Sequence, residues 1–177
     1  MTEPKIFWEP NKENFKNIKM VDFAERVKQH FGFDWHNNCE NLWQWSINNR
    51  HNFWSLIWDT QDIIGIKGTE IIHTGQHMIA DRFFPEARLN FTENLLRNAD
   101  DRDAIISLRE DGRREKLSRK ELQAHVLRMA GFLAFHGVGA GDVVAAYMPN
   151  TAETVISMLA AASLGATFSS CSSDFGA

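Results

Sequence analysis

The residues best equipped for chemistry lie close together in SSCSSDFGA, residues 169–177, where hydroxyls, a thiol and a carboxylate follow one another. A thiol at Cys171 works as a nucleophile when a base stands beside it, and the base needs an orienting group. No His–Asp arrangement can be placed next to Cys171 from the sequence. The small side chains of Ser169, Ser170, Ser172, Ser173 and Asp174 suit a different task, which is to let a ligand approach the backbone closely. They also follow a strand-like run, and ligands of open parallel sheets bind beyond the carboxyl ends of the strands. A plain surface loop accounts for the same spacing.

Three other stretches invite a chemical reading. His73 and His77, with Asp81 behind them, have metal-ligand residue types, but Gly75 between the histidines opposes the helix that would align them. GVGAGD, residues 137–142, has a partial dinucleotide-binding pattern. Its glycines follow a helix and precede a strand, the reverse of what a phosphate-binding turn requires, so a helix cap and turn explain them. GIKGT, residues 65–69, lacks the spacing of a P-loop. The Trp-rich segment within residues 8–58 has the residue types of a stacking platform for nucleic acid or sugar, but helical spacing in an acidic chain favours a core or an interface.

The elements that would position these residues fall into two parts. All six tryptophans lie within residues 8–58, whereas the last third of the chain is rich in Ala, Val and Gly. Residues 1–20 read as an extended arm that docks Phe7 and Trp8 on the body. VDFAERVKQHFG (21–32) is periodic and ends at Gly32, which predicts a short helix. Residues 39–59 place Trp43, Ile47, Arg50, Trp54 and Ile57/Trp58 along one helical stripe. Two short helices joined near Asn49 fit equally well, because Asn favours caps and turns. Residues 63–77 read as loop with short extended pieces. Asn90, with Glu93 three positions on, predicts the start of another short helix.

From residue 100 the pattern becomes alternating strand and helix. DAIISLRED reads as a strand, and Asp111-Gly112 turns the chain into RREKL. The sign-alternating charges of that hairpin read as solvated. Ser118 and Glu121 form a capping box, with Leu117 and Leu122 at staple positions. The helix that follows places Leu122, Val126, Met129, Ala130 and Leu133 on one face and ends at Gly137. VVAAYM (143–148) is continuously apolar and reads as a strand buried on both faces. Asn150 is expected to cap the next helix, in which Val155, Ile156, Leu159 and Ala160 face inward. Gly165 closes that helix before a strand over 166–170, and such a crossover makes the two strands parallel.

Bulk properties narrow the function classes. A net charge of −4 gives no basic footprint for nucleic acid or anionic membrane. The longest apolar run, VISMLAAASLGATF, is too short to span a bilayer. Two distant cysteines, Cys39 and Cys171, form no metal quartet or disulfide framework, so a cytoplasmic location is expected. The N-terminus has no apolar core of a signal peptide.

Several stretches, in order, resemble the adenylate-forming acyl-CoA synthetases. NLWQWSINNRHNFWSLIWD is similar to the N-terminal segment of acetyl-CoA-synthetase-like members. FFPEARLNFTENLLR resembles their FPGARLNYAENLL stretch, and residues 137–170 resemble their GVKPGD…YLPN…ASLGA block. CSSDFG resembles the SSCSPDFG of the acetoacetyl-CoA synthetase subgroup. This sequence has Ser173 where that subgroup has Pro.

The resemblance implies an α/β fold. A helical aromatic N-terminal segment (1–98) would precede the first βαβ part of the family's large AMP-binding (adenylation) domain (99–177), leaving an incomplete fold. It also implies ATP-dependent, Mg²⁺-assisted activation of a carboxylate to an acyl-adenylate, followed by transfer to CoA. For this subgroup the acid is acetoacetate; acetate or propionate is the alternative. The family's CoA-side loop falls on Ser172, Ser173, Asp174 and Phe175. The family's Ser/Thr/Gly-rich phosphate loop with its Lys, its nucleotide-binding motifs and its adenylation lysine are absent. The chain is therefore expected to be an N-terminal fragment, inactive alone, that presents an exposed sheet edge. The rival expectation is a stand-alone, non-catalytic interaction module.

Overall fold

The computed structural model describes Phe7, residues 18–173 and Phe175. Two compact units emerge: residues 1–63 with 67–87, and residues 64–66 with 88–177.

The first unit is helical. Helix α1 (Lys19–Phe31) turns Ala24 and Val27 inward and stops at Gly32, whose φ of 68° lets its N–H reach the Lys28 carbonyl. Helix α2 (Cys39–Asn48) starts under Asn38, whose side chain accepts from the Glu40 N–H. Asn49 then breaks the path. Both its backbone N–H and its side-chain amide donate to the Trp45 carbonyl, at 2.9 and 3.0 Å, and α3 (Arg50–Thr60) begins after it.

The break resets the helical phase, so the single stripe expected from Trp43 to Trp58 is not what is buried. Leu42, Trp45 and Leu56 enter the core with Ala24, Val27 and Trp35, while Trp43 is 54% and Ile47 43% exposed. Phe33 stacks on Trp45 at 5.8 Å, and Phe23 meets Phe53 edge-on at 5.6 Å. Trp35 and Trp45 are thus core residues and are not available as a stacking surface. Of the expected N-terminal arm, Phe7 is largely exposed, and Trp8 lies outside the described residues. Strands β1 (Ile72–His73) and β2 (Arg82–Phe83) form a small antiparallel pair with a 3₁₀ turn, Met78–Ala80, between them.

The second unit opens with α4 (Phe91–Leu96), capped by Asn90, whose side chain accepts from the Glu93 N–H at 3.1 Å. Strands β3 (Asp103–Leu108) and β4 (Arg114–Ser118) form an antiparallel hairpin through Gly112, at φ 80°. Its charges pair locally, Arg109 with Glu115, Arg113 with Asp111 and Lys116 with Asp103. The Ser118–Glu121 capping box then starts α5 (Arg119–Phe135). Leu122, Val126 and Ala130 of α5 pack on Ile156, Leu159 and Ala160 of α6 (Ala152–Ser163), with Leu117 at the margin. The N-cap of α6 is Thr151, one residue after the expected Asn150. The Thr151 side chain is hydrogen-bonded to Glu153, and the Thr154 hydroxyl donates to the Pro149 carbonyl at 2.7 Å.

Strand β5 (Val143–Tyr147) pairs with β6 (Thr167–Cys171) in parallel, in register from Val143↔Thr167 to Tyr147↔Cys171. The apolar run of β5 is not buried on both faces. Val143 is 66% and Tyr147 61% exposed, because β5 has a single partner strand among the described residues. Apolar sequence marks a strand for burial, but only covering layers achieve it.

The α4 segment, grouped from sequence with residues 1–98, lies in the second compact unit. The amide of Asn90 donates to the carbonyls of Ala162 and Ser163 at 3.0 and 3.2 Å, and the Thr92 hydroxyl to that of Leu159 at 2.9 Å. The last turn of a helix leaves carbonyls without intrahelical donors, and Asn90 supplies two of them while capping α4 with its other atom.

Candidate site at the carboxyl ends of the parallel pair

The crossover from β5 through α6 to β6 ends both strands at the same level, and Tyr147 and Cys171 are the last paired residues. Gly165, at φ 74°, makes the turn from α6 into β6; its added Cβ would sit 3.3 Å from that of Ala140. The expected loop follows directly. Ser172 and Ser173 are exposed, Phe175 is 72% exposed, and the Phe175 N–H donates to the Ser172 carbonyl at 3.2 Å. Asp174 lies outside the described residues.

A residue that sequence reasoning missed joins this loop. The Tyr147 hydroxyl donates to the Ser173 carbonyl at 2.9 Å and lies 3.4 Å from that of Phe175. The available signal was composition: Tyr147 is the only tyrosine, and it closes a strand. Cys171 is an exposed free thiol on the same rim. The neighbouring amino end of α6 holds its own anion. The Glu153 carboxyl is kept below its ordinary range by the Thr151 hydroxyl first, then by its own backbone N–H, Arg109 and His125. The described part of the site is thus a rim of hydroxyls, a thiol, backbone groups and two aromatic rings. Those groups can hold a polar ligand, and they include no acid–base pair.

The other sequence candidates are held in local structure. Asp81 accepts from Arg50 at 2.5 Å and from the Gly75 N–H at 3.0 Å, and Arg50 also lies 5.7 Å from the Phe83 ring centre. These two donors, the guanidinium foremost, keep the Asp81 carboxyl below the usual range. His73 contacts Glu70 instead, at 2.9 Å. Among the described residues, no three His, Cys, Asp or Glu side chains gather to hold a metal ion.

In GIKGT, the Thr69 N–H and hydroxyl donate to Glu86, and Lys67 is held by Ser55 and Asp59. A Cβ on Gly68 would fall 2.7 Å from that of Glu86, so this glycine serves close chain approach. In GVGAGD the Gly139 N–H donates to the Asp142 carboxylate at 2.8 Å, and Gly137 (φ 85°) and Gly141 (φ 93°) turn the chain.

Comparison with known proteins places this geometry. Residues 91–177 match the AMP-binding enzyme family. The acetoacetyl-coenzyme A synthetase of Rhizobium meliloti (strain 1021) is 42% identical over 176 residues, covering 99% of this chain and 27% of that protein. The acetoacetyl-CoA synthetase of Xenopus tropicalis is 38% identical over 178 residues, 98% of this chain and 26% of its own. Among solved structures, the acetoacetyl-CoA synthetase from Streptomyces lividans superposes with a TM-score of 0.86 at 27% identity, over 98% of this chain and 27% of its own. The chain therefore spans about a quarter of the length of the relatives it matches. Residues 91–177 are thus similar to the AMP-binding enzymes, and the chain as a whole is similar in sequence and fold to about a quarter of an acetoacetyl-CoA synthetase.

Proposed function

We propose that the chain forms the N-terminal part of an ATP-dependent acid–CoA ligase that converts acetoacetate, ATP and CoA to acetoacetyl-CoA, AMP and diphosphate. The observation that carries this reading is the 42% identity to one acetoacetyl-CoA synthetase, sustained over 99% of the chain. In such a reaction the carboxylate attacks the α-phosphorus of ATP and expels diphosphate. The CoA thiol then attacks the acyl carbon and expels AMP.

We assign the Mg²⁺–ATP part of that machinery, and with it the adenylation step, to the portion of such a ligase that this chain does not span, and the chain alone is expected to be inactive. The role we assign to Ser172, Ser173, Asp174 and Phe175 is contact with CoA during thioester formation. The small, exposed side chains of Ser172 and Ser173 and their position beyond two parallel strand ends support that role.

The gene downstream of the Ala177 codon tests the reading. The expected result is an open frame leading to a Ser/Thr/Gly-rich loop with a lysine, in a protein whose ATP–diphosphate exchange depends on acetoacetate. A stop codon at that point would overturn the ligase reading and favour a binding module. Exchange driven better by acetate or propionate would overturn the choice of acid. As a second test, a hybrid joins this chain to the remaining three-quarters of the Rhizobium meliloti synthetase. It is expected to make thioester, whereas the 177-residue chain alone should show no exchange above background.

A further inference from the structure

We infer that Tyr147 is a positioning residue for the CoA step, acting through its hydroxyl on the carbonyls of Ser173 and Phe175; this rests on the CoA-side role proposed above. The geometry is specific. Tyr147 is the last residue of β5 and is paired with Cys171, the last residue of β6, so its ring stands where the loop leaves the sheet. Its hydroxyl donates to the Ser173 carbonyl at 2.9 Å and lies 3.4 Å from the Phe175 carbonyl. A phenol has one hydrogen, so the shorter contact is the full bond and the longer one an alternative acceptor. Either way, two carbonyls of one loop converge on a single donor carried by the neighbouring strand. A bond from the Phe175 N–H to the Ser172 carbonyl closes the turn, and the Tyr147 hydroxyl ties that turn to the end of β5.

The ring is 61% exposed, so it contributes little to the core, and removing the hydroxyl should leave the fold intact. Its loss should instead populate other loop orientations. A single neutral hydrogen bond of ordinary net strength corresponds to a change of about five-fold in such a population.

The test uses Tyr147→Phe in the hybrid ligase, with Asp174→Ala as the reporter of the loop's CoA role. Tyr147→Phe is expected to raise the KM for CoA about five-fold, with a smaller effect on the KM for ATP and on kcat at saturating CoA. In the 177-residue chain, the same substitution should speed hydrogen exchange of the Phe175 amide while leaving α5 and α6 amides unchanged. A rise in CoA KM with Asp174→Ala but not with Tyr147→Phe overturns the tyrosine's role and leaves the loop's role standing. No effect from either overturns both. Faster Phe175 exchange together with a raised CoA KM supports positioning. A raised CoA KM without faster exchange overturns it, because the tyrosine would then act by direct contact.

Discussion

Leu159→Ala tests whether the α5–α6 interface is the core that holds the parallel pair. Leu159 is fully buried, between Leu122, Val126 and Ala130 of α5 and Ile156 and Ala160 of its own helix. The substitution removes three carbon atoms, which at ~0.8 kcal/mol each is about 2.4 kcal/mol of transfer free energy. The cavity that remains adds to this, because helices fastened by the Thr92 and Asn90 hydrogen bonds collapse poorly around it. The sum is about 3 to 4 kcal/mol. With a urea dependence of about 2 kcal/mol per molar, the midpoint should fall by roughly 1.5 to 2 M. Tryptophan fluorescence is the wrong probe, because all six tryptophans lie within residues 8–58. Far-UV circular dichroism, with hydrogen exchange of α5 and α6 amides, reads the right unit. Leu127→Ala is the control: Leu127 is 65% exposed on α5, and the change should stay within about 0.5 kcal/mol. A Leu159→Ala shift below about 0.5 M would refute a tightly packed interface.

Two further outcomes concern polar anchors. The folded Asp81 carboxyl titrates below its ordinary value, so its contribution is present at neutral pH and lost as pH falls from about 4 through the depressed value. Asp81→Asn should therefore flatten part of the acid limb of stability, followed by the fluorescence of Trp54, whose ring meets Phe83 at 5.2 Å; an unchanged acid limb would exclude the ion pair as a contributor. Asn90→Ala removes the cap of α4 and the donor to two α6 carbonyls, and should cost about 1 to 2 kcal/mol by urea denaturation. A cost of a few tenths would show that water replaces both.

Features legible in the sequence are those decided within a few residues. Gly32, the Asp111-Gly112 turn and the Ser118–Glu121 box each depend on one turn of backbone and stand as expected, and the Asn49 break is one of the two readings the sequence left open. The parallel pairing of β5 with β6 was also legible, because a strand, helix, strand series of those lengths leaves few alternatives. What failed needed longer range. The buried tryptophans could not be chosen before the phase change at Asn49 was known, since the helices either side count from different origins. The burial of β5 depends on layers outside its own run. The attachment of α4 rests on hydrogen bonds to residues 67 to 73 positions away.

The candidate site shows the same division, and it also separates stability from binding. Small residues beyond a strand were visible in the chain, and so was their value to an approaching ligand. The bond that orients them joins residues 26 positions apart and requires both the strand register and the aim of one exposed ring. It is a weak bond, of about 1 kcal/mol net, against about 3 to 4 for the Leu159 side chain. That difference in size assigns different consequences. Leu159 fills the α5–α6 interface, so its loss should remove folded protein without altering the proposed CoA contact of what remains folded. Tyr147 ties only the loop to the end of β5, so its loss should spare folding and fall on the CoA contact we propose. If Tyr147→Phe lowered the urea midpoint as far as Leu159→Ala does, the loop would be part of the core and could not be the adjustable rim of the proposed CoA contact.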